Sequence, residues 1–78
     1  MFLHLSQTCV LEKENVIGVF DMDTATISPE SRRFLRESER KGRLRSVAKD
    51  LPKSFVLTSD LVYLASLSPI SIRGHLEE

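Results

Sequence analysis

The stretch SFVLTSDLVYL, residues 54–64, decides the fold. Ser54 to Leu57 and Leu61 to Leu64 are apolar runs too short for helices, separated around the polar pair Ser59-Asp60. That pattern predicts two strands joined by a tight turn. Just upstream, Lys49-Asp50-Leu51-Pro52 reads as a loop, and residues 43–47 (RLRSV) alternate polar and apolar as a half-exposed strand does. Further back, NVIGVFDM (residues 15–22) is predicted as a strand apolar on both faces, with Gly18 marking a bulge or a close backbone approach. Residues 2–5 and 9–11 are two more short strands about the polar turn Ser6-Gln7-Thr8.

Between the strands lies a helix over Pro29 to Lys41. Ser28 can accept an orphan backbone N–H, Pro29 suits the first helical position and Glu30 the positive end of the dipole. Gly42 supplies the stop, with Arg40, Lys41 and Arg43 near the negative end. Phe34, Leu35 and Ser38 share one face, and Arg32, Arg33, Arg36 and Arg40 fall roughly opposite. Ser68-Pro69 repeats the start signal for a short C-terminal helix, expected to be interrupted at Gly74. Strands, helix, strands and a short helix predict an α+β domain with a small antiparallel-rich sheet.

Seventy-eight residues make a single domain, residues 1–78, with a thin core. The lone Cys9 cannot staple it, and one Cys with two His gives no zinc set. No cofactor or metal is expected. No apolar run approaches the ~20 residues of a membrane span, and the N-terminus lacks a signal-peptide pattern, so no membrane partner and a cytoplasmic location are expected. A thin, unstapled core makes self-association the remaining route to stability.

Eleven bases balance eleven acids, yet the balance is regional. Residues 1–31 carry one base and five acids, 32–53 nine bases and three acids, and 54–78 one base and three acids. The basic middle can be read three ways: a surface for phosphate, which arginine grips with its planar fork; a solvated face with Arg33–Glu37 and Glu37–Lys41 as i,i+4 pairs; or subunit contacts to the acidic N-terminal segment. The candidate DNA-binding residues are Arg32, Arg33, Arg36, Arg40, Arg43, Arg45, Lys49 and Lys53. No aromatics interleave them, which argues against single-strand stacking.

Residues 16–24, with Asp21 and Asp23 at the end of an apolar strand, resemble the nucleophile motif of haloacid dehalogenase phosphatases, and Phe55-Val56-Leu57-Thr58 imitates that family's second motif. The doubly wound sheet and downstream acidic pair that this chemistry needs do not fit in the chain. Asp21 and Asp23 are expected to end a strand and feed a turn, and no enzymatic activity is expected. His4 reads as a packing or surface residue and Cys9 as a small buried hydrophobe.

Across nearly its whole length the chain resembles the RemA/RemB family of extracellular matrix regulators. The residues that carry this are Phe2-Leu3-His4-Leu5, Val16-Ile17-Gly18-Val19-Phe20-Asp21, Ile27-Ser28, Phe34-Leu35, Gly42, Leu51-Pro52-Lys53-Ser54-Phe55-Val56-Leu57-Thr58, Val62-Tyr63-Leu64 and Ser68-Pro69-Ile70-Ser71. The Leu51–Val56 segment is the most specific. The resemblance implies a bacterial regulator of biofilm matrix genes, with a LytTR-like fold, a ring-like homo-oligomer and double-stranded DNA as partner. Where RemA-type members carry arginine, this chain has Asn15 and Ala48-Lys49-Asp50. Any DNA surface is therefore expected to have moved to the Arg32–Arg45 region. The alternative is a structural or interaction module whose basic segment forms subunit contacts.

Overall fold

The computed structural model describes residues 1–25 and 27–76. Its elements are strands β1 (Phe2–Ser6) and β2 (Cys9–Glu12), a 3-10 turn (Lys13–Asn15), β3 (Val16–Asp21), helices α1 (Met22–Ala25) and α2 (Pro29–Arg40), strands β4 (Leu44–Ser46), β5 (Ser54–Thr58) and β6 (Val62–Ala65), and helix α3 (Pro69–Leu76). The fold is α+β, as the sequence predicts. Strands β1 and β2 form an antiparallel hairpin, and the other four make a sheet of order β3-β5-β6-β4. Within that sheet β4 pairs parallel to β6, while the other pairings are antiparallel.

The hairpin 54–64 is the centre of the sheet. Four of the five residues of β5 are buried, because both its faces are covered. The Ser59-Asp60 turn contains no positive φ, since Gly42 alone adopts one among the described residues. Primed hairpin turns need positive φ, so this turn is built differently. Thr58 closes it instead: its hydroxyl donates to the Leu61 carbonyl at 2.7 Å and accepts from the Leu61 N–H at 3.0 Å.

The sheet has unlike faces. On one, Val19, Val56 and Ala65 pack against Leu3, Leu5 and Leu11 of the β1–β2 hairpin and against Ile72 of α3. On the other, Phe55 and Val62 pack against Ala25 of α1, with Leu35 of α2 and Leu44 of β4 alongside.

Both helix starts form as predicted. Ser28 accepts from the Ser31 N–H, and Ser68 from the Ser71 N–H. At the end of α2, Gly42 takes φ +73°. Its N–H bonds to the Glu39 carbonyl at 3.0 Å and the Arg43 N–H to the Ser38 carbonyl at 2.8 Å, a Schellman stop.

Two expectations are corrected. Residues 15–22 are not a strand buried on both faces. Strand β3 lies at a sheet edge, Asn15 belongs to the 3-10 turn and Met22 starts α1. The register slips between Val16 and Gly18, so Ile17 bulges out and is 66% exposed. Gly18 marks the bulge as expected, and the close neighbour there is a side chain, since a Cβ would lie 2.8 Å from the Phe20 ring that covers it. Finally, α3 runs unbroken through Gly74 to Leu76. Glycine weakens a helix by ~1 kcal/mol without forbidding it, and fully buried Ile72 anchors this one.

Candidate nucleic-acid interface

Helix α2 is amphipathic in an unusual sense, because its inward side is mostly small. Ser38 is buried, Ser31 and Leu35 are half-buried, and the Ser38 hydroxyl donates to the Phe34 carbonyl at 2.9 Å. Small serines that satisfy themselves locally let the helix lie close to the sheet. The outward side carries Arg33, Arg36 and Arg40 along one stripe, with Arg32 beside it, all exposed.

Helical pairing differs from the expected Arg33–Glu37 and Glu37–Lys41 contacts. Glu37 instead pairs with Arg40, one turn on, at 2.6 Å. Among the described residues no carboxylate lies within ion-pair distance of Arg32, Arg33 or Arg36. Three guanidinium groups on one helix thus keep their planar forks directed at solvent, with donors suited to two oxygens each.

The remaining bases do not all extend this stripe. Arg43 is exposed where the chain leaves α2. Arg45 folds back, its Nη1 donating to the carbonyls of Gly42 at 2.8 Å and Leu44 at 3.1 Å, so part of its donor capacity serves the helix stop. Lys49 and Lys53 sit in the loop between β4 and β5. Leu44 pairs with Val62 at the start of β6 and Ser54 with Ala65 at its end, so Arg43 and Lys53 mark opposite ends of the sheet. The eight bases form an α2 stripe, a pair at its C-terminal stop and a distant loop pair.

The acidic motif at the end of β3 has a structural task. Asp21 Oδ1 accepts from the Asp23 N–H at 2.8 Å and so caps α1. Thr58 is committed to its turn as described. Burial pushes the Cys9 thiol upward in pKa, which leaves little thiolate at neutral pH. His4 is exposed on β1. No helix among the described residues is long and apolar enough to cross a membrane.

A second feature escaped the sequence reading. Phe34, placed by helical spacing on one face with Leu35 and Ser38, stands at the flank of α2 and is 40% exposed. It leans on Phe55, whose ring also stacks on Phe20 at a centroid separation of 4.9 Å. The three rings and Leu57 floor a groove of about 260 Å³ between α2 and the β3 side of the sheet. Glu30 lies on its rim, and an adjoining recess carries Asp21. The sequence does hold a trace of this, since Glu30 and Glu37 stand one turn either side of Phe34, a charged setting foreign to a core position.

No protein-family model matches the chain, and no curated protein matches it.

Proposed function

We propose that this chain is a non-enzymatic, self-associating regulator that holds the phosphate backbone of duplex DNA through α2, in the control of bacterial biofilm matrix genes that its resemblance implies. The observation that carries the reading is the arginine stripe: Arg32, Arg33 and Arg36 are exposed and have no carboxylate partner among the described residues. Backbone contacts of this kind position a protein without reading bases, so specificity comes from DNA shape and from repetition of the surface in an oligomer.

Fluorescence anisotropy with labelled duplexes at stepped salt tests it. Three or four neutralised phosphates give a slope of log K against log salt of about −3. Arg33→Glu with Arg36→Glu should abolish binding on every sequence alike. Absence of binding at low salt, or binding indifferent to salt, would overturn the reading.

A second reading, an interaction module, is favoured by the exposure of Glu12, Glu14, Asp21 and Asp23 in the acidic N-terminal segment, which a neighbour's arginines would complement. Under it, Arg36→Glu with Arg40→Glu lowers the oligomer mass. Under the first reading the mass holds and DNA binding is lost.

A further inference from the structure

The groove between α2 and the β3 side of the sheet is an apolar feature that the arginine stripe leaves unexplained. Its floor is the Phe20, Phe34 and Phe55 cluster with Leu57. Exposed Asp21 and Glu30 stand at its border. Its carboxylates repel phosphate, so stacked nucleotides are poor occupants. An apolar floor bordered by carboxylates suits an apolar side chain flanked by cations.

The chain itself presents such a group. Leu51 is 86% exposed, more than any other large apolar residue described. It projects from the loop between β4 and β5, next to exposed Asp50 and with exposed Lys49 and Lys53 two residues to either side. Pro52 restricts the backbone beside it, which lowers the entropy lost on docking. The loop is held from behind: the Lys49 N–H donates to Ser66 Oγ at 3.1 Å, the Lys53 N–H donates to the Ala65 carbonyl at 2.9 Å, and the Lys53 carbonyl accepts from the Met22 N–H at 3.1 Å.

We infer that Leu51 of one copy enters the Phe20–Phe34–Phe55 groove of a second copy, with Lys49 and Lys53 facing its Asp21 and Glu30. The inference deepens the self-association part of the proposed function and rests on it. Knob and groove are different surfaces, so a head-to-tail contact propagates, closing into a ring if the rotation permits and into a chain otherwise. The contact uses the flank of α2 and leaves the outward arginine stripe unburied. It also gives the loop lysines a task apart from DNA.

Light scattering on the purified chain tests the pairing, with circular dichroism as the folding check. The wild type should be multimeric. Leu51→Glu removes the knob and keeps the groove, and Phe34→Asp removes the groove and keeps the knob. Each alone should be monomeric. Mixed in equal amounts they regain one live contact and should give twice the monomer mass. If Phe34→Asp fails to fold, Glu30→Lys takes its place. It should lower the mass alone and recover it when combined with Lys53→Glu. A monomeric wild type at every attainable concentration overturns the self-association reading and this inference together. A multimeric wild type that Leu51→Glu leaves intact overturns the inference alone. So does a mixture of two monomeric variants that stays monomeric, or a Glu30→Lys mass that Lys53→Glu does not recover.

Discussion

The two faces of the four-stranded sheet are finished to different degrees. The face under the β1–β2 hairpin and α3 is sealed: Leu3, Val56 and Ile72 have no exposed surface. Even its border is attended to, since Arg73 Nη2 donates to the Val19 carbonyl at 3.1 Å, occupying an acceptor on edge strand β3. The face under α1 and α2 is left open. Phe55 is buried there, but Phe20 and Phe34 beside it are exposed, and the helix above contributes two serines where a core helix would carry large apolar residues. The sealed face holds the fold. The open one carries the arginine stripe, the carboxylates and the uncovered aromatic rings, so surface available for partners is concentrated on one side of the sheet.

Truncation should separate the faces most sharply. Leu3→Ala or Ile72→Ala empties a site with no solvent access and should cost about 3–4 kcal/mol. In a domain this small, that is a large share of a stability of about 5–10 kcal/mol. Phe34→Ala removes a ring already partly in water and should cost about 1 kcal/mol. Urea denaturation of the three variants at a concentration where the wild type is monomeric measures both figures. A Phe34→Ala cost equal to that of Leu3→Ala would erase the distinction between the faces.

Thr58 serves both faces, because it closes the hairpin that forms the middle of the sheet. Thr58→Val keeps the volume and removes the hydroxyl that bonds to both backbone groups of Leu61. The expected cost is about 1–2 kcal/mol, read from the denaturation midpoint with an unchanged slope. A change in slope would mean that the hairpin had come apart independently of the rest.

Local features were legible in the sequence and non-local ones less so, for physical reasons. Local chemistry announces itself: Ser28 and Ser68 cap, Gly42 stops α2, and Gly18 accompanies a bulge and the Phe20 ring laid over it. Position within the sheet is a non-local property. The apolar run at residues 15–22 reads the same whether its strand is central or at an edge, and only the pairing in space puts β3 outside and β5 inside. Helix α1 is a single turn, shorter than the period that would reveal it. The site divides likewise. The stripe on α2 follows from helical spacing. The separation of Arg43 from Lys53 follows from β4 lying parallel to β6, which no local pattern encodes. The groove joins residues from α2, β3 and β5, and each of these alone looks like ordinary core.

Gly42→Ala tests how α2 is fastened over the open face. No atom crowds a Cβ there, so the whole penalty comes from the positive φ, about 1 kcal/mol. Because Arg45 donates to the Gly42 carbonyl, a shifted stop should also loosen the start of β4. Hydrogen exchange should show faster exchange at Arg43 and Leu44, with the β1–β2 hairpin unaffected. Faster exchange across both faces would mean that α2 is no separate layer.

The smallest expected effect bears most directly on why the open face carries its arginines. Arg36 has Arg32, Arg33 and Arg40 at three- and four-residue helical spacing, against the single carboxylate Glu39. Like charges at these spacings repel by a few tenths of a kcal/mol each. Arg36→Gln keeps helix propensity and relieves that repulsion, so it should stabilise the isolated chain by about 0.2–0.5 kcal/mol, or about 1–3 °C in Tm, at low salt. Salt screens exposed charges, so the gain should shrink toward zero as ionic strength rises. Under the proposed DNA-binding function, bound duplex should reverse the order of the two melting temperatures. If Arg36→Gln instead lowers Tm in the absence of DNA and the loss fades with salt, Arg36 has a carboxylate partner in the folded state and the stripe is part of the architecture.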